Sequence, residues 1–342
     1  MHQLTRLSIA GYLLLSLALN CSSAAEAAET FLDLPDSFEV TFEPTEQEKN
    51  VPERFQLQRH TFPSQIEPDK TRGPVRSFKV TFPSPVTTES EANNTVHGEY
   101  FLPAGEGPFP AVVVLHILGG EFPLSQVMAN SLAHKKVAAL FIKMPYYGER
   151  RAPDNRRRMI SRIPEQTVEG MTQAVLDIRR AAAWLRARPE VDQTRLGITG
   201  ISLGGIMSAL SAPAEPTFQK VAIYLGGGNL AEILWGLDHS EARQFRGQWK
   251  EQGGSRESFI NLMQPVDPAT YGHLLRGRDV LMVAAREDKV VPPAATLALR
   301  QAIGPHAKLV WLNAGHLSSA KFLLGEIVRI QNFFQNWDNE SE

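Results

Sequence analysis

Leu196-Gly197-Ile198-Thr199-Gly200-Ile201-Ser202-Leu203-Gly204-Gly205-Ile206-Met207-Ser208-Ala209-Leu210 joins a short apolar run to a helix-compatible one through a serine set between glycines. A serine on a sharp strand-to-helix turn projects its hydroxyl above a sheet, and small residues two before and two after it let the turn close. The pattern Gly-x-Ser-x-Gly alone is weak evidence, since a chain of this length shows it by chance in roughly one sequence in ten. Without partners elsewhere, Ser202 would read as an ordinary helix-start serine.

The surrounding chain supplies the context. Residues 110–115, Pro-Ala-Val-Val-Val-Leu, form a short all-apolar run bounded by proline and glycine, the pattern of a parallel strand buried on both faces. Residues 137–142, 196–199, 221–225, 280–284 and 309–312 read the same way, and residues 77–82 and 95–102 add two earlier strands. Between them lie helical patterns. Val168, Met171, Val175, Ile178, Ala182 and Leu185 recur at spacings of three and four, and Pro189 ends that helix. Residues 295–303 and 321–337 are two more; in the last, Phe322, Leu324, Ile327, Ile330, Phe334 and Trp337 form a stripe expected to pack into the core. Strands alternating with helices predict an α/β fold with a mostly parallel eight-stranded sheet flanked by helices.

Two stretches depart from this rhythm. Residues 26–75 are rich in Glu, Pro, Thr and Gln with little periodicity and are expected to be an arm or linker, leaving 76–342 as the main domain. Residues 226–278 exceed a usual strand-helix-strand connection and carry Trp235, Phe245, Trp249 and Phe259 among charges. They are expected to form a small helical cap insertion, about 228–276, over a pocket.

Composition narrows the function. With 342 residues, 43% hydrophobic and 21% charged, the chain can bury a full core, and a net charge of -2 leaves no basic footprint for nucleic acid. The arginines at 150, 151, 156, 157, 158 and 162 are a local exception, read as a solvated face in preference to an anion-binding patch. Arg6 followed by the apolar residues 9–19 and small residues at 23–25 or 25–27 reads as an export signal over residues 1–25, implying a periplasmic or secreted protein. Cys21 raises the question of lipid attachment, against which stands the large Asn20 before it; without lipid, no stable membrane association is expected. Losing that segment removes the only cysteine, so disulfides, thiol nucleophiles and cysteine metal sites are not expected. There is no His-Glu-x-x-His, no P-loop, and Gly226-Gly227-Gly228 is no dinucleotide fingerprint, so no metal and no cofactor are expected.

In open parallel sheets, function gathers at the carboxyl ends of the strands. Ser202, Asp288 and His316 each follow a predicted strand, in the order Ser, Asp, His. A histidine can take the proton of a serine hydroxyl near neutral pH, and a carboxylate orients the imidazole and stabilises its charged form. Glu287 is an alternative to Asp288, and Asp288 could instead cap the following helix. His306 precedes its strand and belongs to the opposite edge.

The run from Gly200 to Gly204, Asp288-Lys289-Val290-Val291-Pro292 and Gly315-His316 resemble the nucleophile, acid and histidine loops of the α/β-hydrolase superfamily. The resemblance covers roughly residues 77 to 337 and is closest to the branch of dienelactone hydrolases, acetyl xylan esterases and prolyl-oligopeptidase-like domains. It implies the α/β-hydrolase fold, with Ser202 as nucleophile, Asp288 as acid and His316 as base. It also implies an oxyanion hole made by the backbone amide of Leu203 and one from His116-Ile117-Leu118-Gly119-Gly120. The commoner family form has His-Gly before the donor; Ile117 departs from it and is similar to the H-E-I-F-G form of dienelactone hydrolases. By position the donor is Leu118, with Ile117 as the alternative, and His116 is expected to hold the loop by hydrogen bonds.

Tyr146 and Tyr147 follow the strand 137–142 and are expected to line the substrate pocket with Ile117 and Trp235, or else to be packed turn aromatics. The implied activity is hydrolysis of carboxylic esters, on a small molecule or attached to a polysaccharide, through an acyl-enzyme. A serine peptidase akin to prolyl oligopeptidases is the alternative, for which residues 26–75 are too short to form a propeller. An inactive binding protein of the same fold is another.

Overall fold

The computed structural model describes residues 34–120, 122–238 and 240–337. The expected signal segment and Cys21 lie outside them. At the centre is β5 (Phe109–Leu115), every residue of which is buried. Ala111, Val113 and Leu115 enter one core and Val112 and Val114 the other, as the two-residue period of a strand requires when both faces are covered. β6 (Ala138–Ile142), β7 (Val191–Ile201), β8 (Phe218–Tyr224), β9 (Asp279–Ala285) and β10 (Lys308–Leu312) complete a parallel block in the order β6-β5-β7-β8-β9-β10. The chain runs from β5 to β6 on one side and then returns past β5 to β7. The crevice beyond the carboxyl ends of β5 and β7 is therefore a topological switch point.

Helices cover both faces. α1 (Phe122–Ala133) and α9 (Leu323–Gln335) pack on one, and α2 (Pro164–Arg186), α3 (Leu203–Ala214) and α8 (Pro293–Ile303) on the other. α2 begins on a proline, whose fixed φ suits a first helical position, and its stripe Val168, Met171, Val175, Ile178, Ala182 and Leu185 is buried throughout. Between β8 and β9 the chain forms α4 (Leu230–Gly236), α5 (Ser240–Glu251), α6 (Arg256–Met263) and α7 (Pro268–Tyr271). Among the described residues no helix is long and apolar enough to cross a membrane.

Three expectations need correction. The sheet has ten strands, not eight, because residues expected to be a linker supply two. β1 (Ser37–Phe42) and β2 (His60–Arg72) extend β3 (Val75–Pro83) and β4 (Thr95–Pro103) as an antiparallel wing joined to β6. β2 hides in the sequence because only one side of it is buried: Phe62, Ser64 and Ile66 point inward while the residues between them face solvent. The intervening residues are anchored by Arg179 on α2, whose guanidinium donates to both carboxylate oxygens of Glu48 at 2.8 and 2.6 Å and to the carbonyl of Phe55. The second correction concerns α9. Ile330 and Phe334 are fully buried, but Leu324 is 69% exposed. Leu324 lies six residues before Ile330 in the same helix, which at 3.6 residues per turn sets it about 120° around from the buried face.

The arginine run is likewise not a uniform solvated face. Arg150 is fully buried, and its Nη1 lies 2.8 Å from Asp177 Oδ2 on α2. Burial raises the Asp177 carboxyl pKa, opposed by the Arg150 charge and the Ser84 hydroxyl, which donates to Asp177 Oδ1 at 2.6 Å. Replacing Asp177 with Asn strands a buried guanidinium, and the expected loss of about 3–5 kcal/mol should be read by urea unfolding at neutral pH.

Candidate active site

Ser202 joins β7 to α3 with φ 56° and ψ -114°, a strained conformation for a residue with a side chain. It is held there from both sides: its N–H donates to the carbonyl of Tyr224 at 2.8 Å, and its carbonyl accepts from Ile206 N–H at 2.9 Å. The flanking glycines are a packing necessity. A Cβ on Gly200 would lie 2.5 Å from the carbonyl carbon of Gly204, and one on Gly204 would lie 2.6 Å from the Leu115 oxygen. The turn thus closes backbone against backbone, with α3 pressed on the end of β5.

Ser202 Oγ lies 2.9 Å from His316 Nε2, and His316 Nδ1 lies 2.7 Å from Asp288 Oδ2. The other Asp288 oxygen, Oδ1, accepts the amides of Val290 and Val291 at 2.8 Å each. The carboxylate is therefore fixed by its own loop while one oxygen faces the imidazole. Nδ1–H pointing at Asp288 leaves the Nε2 lone pair facing the serine hydroxyl, the arrangement a proton acceptor needs. Asp288 is buried, whereas Glu287 is exposed and Pro292 occupies the cap of α8. His306 instead approaches the Leu275 carbonyl, beyond the amino end of β10.

Beside the serine lies the loop that follows β5. His116 is fully buried, with Nδ1 2.8 Å from the Ile117 carbonyl and Nε2 accepting Met144 N–H at 3.0 Å. Burial pushes its pKa down to about 4, so the ring is neutral near pH 7. Leu118 is 57% exposed, and Gly119 and Gly120 turn the chain back with φ 98° and 72°. Leu203 opens α3, where helix geometry leaves the first amides without intrahelical partners.

The four expected pocket residues separate. Tyr147 stands edge-on to His116 at 4.5 Å, and burial lifts its phenol to about 12. From the chain after β6 it packs against the loop that carries Ile117. Tyr146 is buried, its ring under the Arg157 guanidinium at 5.0 Å and its N–H held by Asn93 Oδ1 at 2.9 Å. Trp235 packs in the aromatic cluster of the insertion, 5.6 Å from Phe259 and 6.4 Å from Phe245. Sequence reasoning missed Asn93, whose carbonyl takes two bonds from Arg150, and Met144, which contributes only a backbone amide. A buried asparagine inside a polar loop has no distinguishing sequence signal.

A cavity of about 510 Å³ lined by Lys220, Asp279 and Lys308 lies at the opposite edge, by the amino ends of β8 and β9. Lys220 is already satisfied there by Asp279 and the carbonyls of Phe333 and Asn336. Among the described residues no group of three or more His, Cys, Asp or Glu is placed to hold a metal.

Comparison with known proteins agrees with this architecture. The family profile described as Alpha/beta hydrolase domain containing 18 matches residues 120–225. An acetyl xylan esterase from Paenibacillus sp. R4 superposes with a TM-score of 0.65 at 17% identity, over 85% of this chain and 99% of that one. Acetyl xylan esterase 1 from Thermoanaerobacterium sp. JW/SL YS485 gives 0.62 at 19% identity, over 81% and 88%. An uncharacterized protein of Mycobacterium tuberculosis is 29% identical over 152 residues, 44% of this chain and 34% of that protein. The chain thus spans about a third of the length of the curated relatives it first matches. The fold is that of the α/β hydrolases, as the sequence resemblance implies.

Gly204→Ala should destabilise the protein by about 1–3 kcal/mol, since the new methyl meets backbone and not a movable side chain. Thermal unfolding against the wild type measures this, and an unchanged midpoint would contradict the packing described.

Proposed function

We propose that this chain is a serine hydrolase that cleaves carboxylic esters. The observation that carries the reading is the Asp288–His316–Ser202 hydrogen-bonded chain, 2.7 and 2.9 Å per link, ending on a strained and glycine-flanked serine. His316 takes the Ser202 proton as Oγ attacks the acyl carbon, and Asp288 steadies the imidazolium that results. The amides of Leu203 and Leu118 receive the developing oxyanion, a contribution of about 3–4 kcal/mol for a good donor. His316 then protonates the departing alkoxide. Water, activated by the same imidazole, releases the acid from the acyl-enzyme.

An ester is favoured over a peptide because the two proteins whose structures superpose at TM-scores of 0.65 and 0.62 are named acetyl xylan esterases. Leu118, Val290 and Leu317 are 57, 42 and 74% exposed and adjoin the oxyanion, acid and histidine loops, so the rim offers apolar contact to the carbon skeleton of the ester. The apolar residues 9–19 behind Arg6 support a site of action outside the cytoplasm, on small or polysaccharide-linked esters.

Folded Ser202→Ala should lose about 10⁴-fold or more in kcat/KM toward p-nitrophenyl acetate. A fluorophosphonate should label the wild type at Ser202 and leave the variant unlabelled. Wild-type hydrolysis by the folded variant would rule out this mechanism. Asp288→Asn, which keeps the shape but not the charge beside His316, should cost about 10⁴-fold in kcat.

A further inference from the structure

His116 is buried next to the candidate site, yet the steps above do not use it. Its Nε2 accepts the Met144 N–H at 3.0 Å, so the proton of the neutral ring is on Nδ1. Nδ1–H therefore donates to the Ile117 carbonyl, 2.8 Å away. That carbonyl also receives Gly120 N–H at 3.3 Å. Phe122, Phe141 and Tyr147 surround the imidazole edge-on, with ring centres 5.2, 6.3 and 4.5 Å away, which holds its orientation.

The carbonyl of Ile117 and the amide of Leu118 belong to one planar peptide unit, and in a trans peptide the C=O and N–H point in opposite directions. Turning the carbonyl inward onto His116 turns the Leu118 N–H outward. Just upstream, the carbonyls of Leu115 and His116 lie so close to Gly204 that a Cβ there would be 2.6 and 2.9 Å from them. The loop is thereby fixed against the start of α3, where Leu203 presents the other donor.

We propose that His116 is a positioning residue for the reaction: it clamps the Ile117–Leu118 peptide so that the Leu118 amide is aimed at the oxyanion before substrate arrives. The inference rests on the ester-hydrolase reading and adds to it the group that preorganises one donor. His116 is not a second base, because its Nε2 lone pair is taken by Met144 and its ring has no exposed surface. The clamp contributes in the transition state, where charge develops on the oxygen, and little in the ground state.

Two variants separate the two ring nitrogens. His116→Asn places an amide N–H near the Nδ1 position and can still hold the Ile117 carbonyl. His116→Gln places its amide near the Nε2 position, keeping the Met144 contact and releasing Ile117. With p-nitrophenyl acetate, His116→Gln should lower kcat by about 10²–10³-fold, the size of losing an oxyanion donor, with KM within about twofold. His116→Asn should recover to within about tenfold of the wild type. Phenylboronic acid, which forms a tetrahedral adduct on a serine, should bind more weakly to the Gln variant by a comparable factor. A long-range nitrogen–proton spectrum of the wild type at pH 7 should show a protonated Nδ1 and a bare Nε2 on His116. The proposal fails if the two variants lose activity equally, if kcat is unchanged, if the losses follow thermal stability, or if Nε2 carries the proton. A wild type that neither hydrolyses the ester nor reacts with a fluorophosphonate would overturn the ester-hydrolase reading itself, and the proposal with it.

Discussion

The close approach of α3 to the end of β5 is the constraint on which the site depends. Gly204 lies against the carbonyls of Leu115 and His116 with no room for a side chain. Gly200 gives the same clearance on the strand side of the turn. Between them Ser202 is driven to positive φ and projects from the bend instead of entering the helix. The strain, of order 1–3 kcal/mol for such a residue, is opposed by the bond to Tyr224 and by the packing of a wholly buried helix. The same approach sets the β5 loop beside the first amides of α3. The position of the serine and the position of the β5 loop beside the Leu203 amide are therefore consequences of one contact.

Support for that contact reaches outward in layers. His116 ties the β5 loop to the chain after β6 through Met144, and Tyr147 closes over the ring. Beyond it, Arg150 bridges the carbonyls of Lys143 and Asn93 and meets Asp177 on α2. Asn93 in turn holds the Tyr146 amide and accordingly its positive-φ turn. Buried polar groups of this kind are expensive to leave unpaired, so each fixes its neighbour's geometry. On the other flank, Asp288 is held by two amides of its own loop and reaches His316 across the ends of β9 and β10.

Elements buried on both faces were the most legible in the sequence. β5 is apolar at every position because each side chain must enter one core or the other, and the strands beside it read in the same way. From those strands the edge rule singled out Ser202, Asp288 and His316, and the structure brings those three into hydrogen-bond contact. β1 and β2 were not legible. Their outward faces carry Glu, Gln, Lys and Thr, and a half-exposed strand of that composition looks like a linker until its partner is known. Arg150 could not be told from Arg151 by type, and only the carbonyls and carboxylate around it decide that it is buried. Leu324 was misplaced for a related reason. A leucine signals burial, but its angle around the helix decides whether it meets the core.

By itself, the sequence determined the alternation of strands and helices, the glycine-flanked serine and the strand ends that carry Asp288 and His316. These are local properties, set by hydrophobic period and by the backbone freedom of glycine, and they need no knowledge of distant partners. Only the tertiary structure decided which nitrogen of His116 meets which backbone group, which arginine is withdrawn from solvent, and that residues 37–72 complete the sheet. Those outcomes depend on carbonyls, amides and strand edges contributed by remote segments. Every residue has the same backbone groups, so the pattern of side chains does not encode which of them will meet.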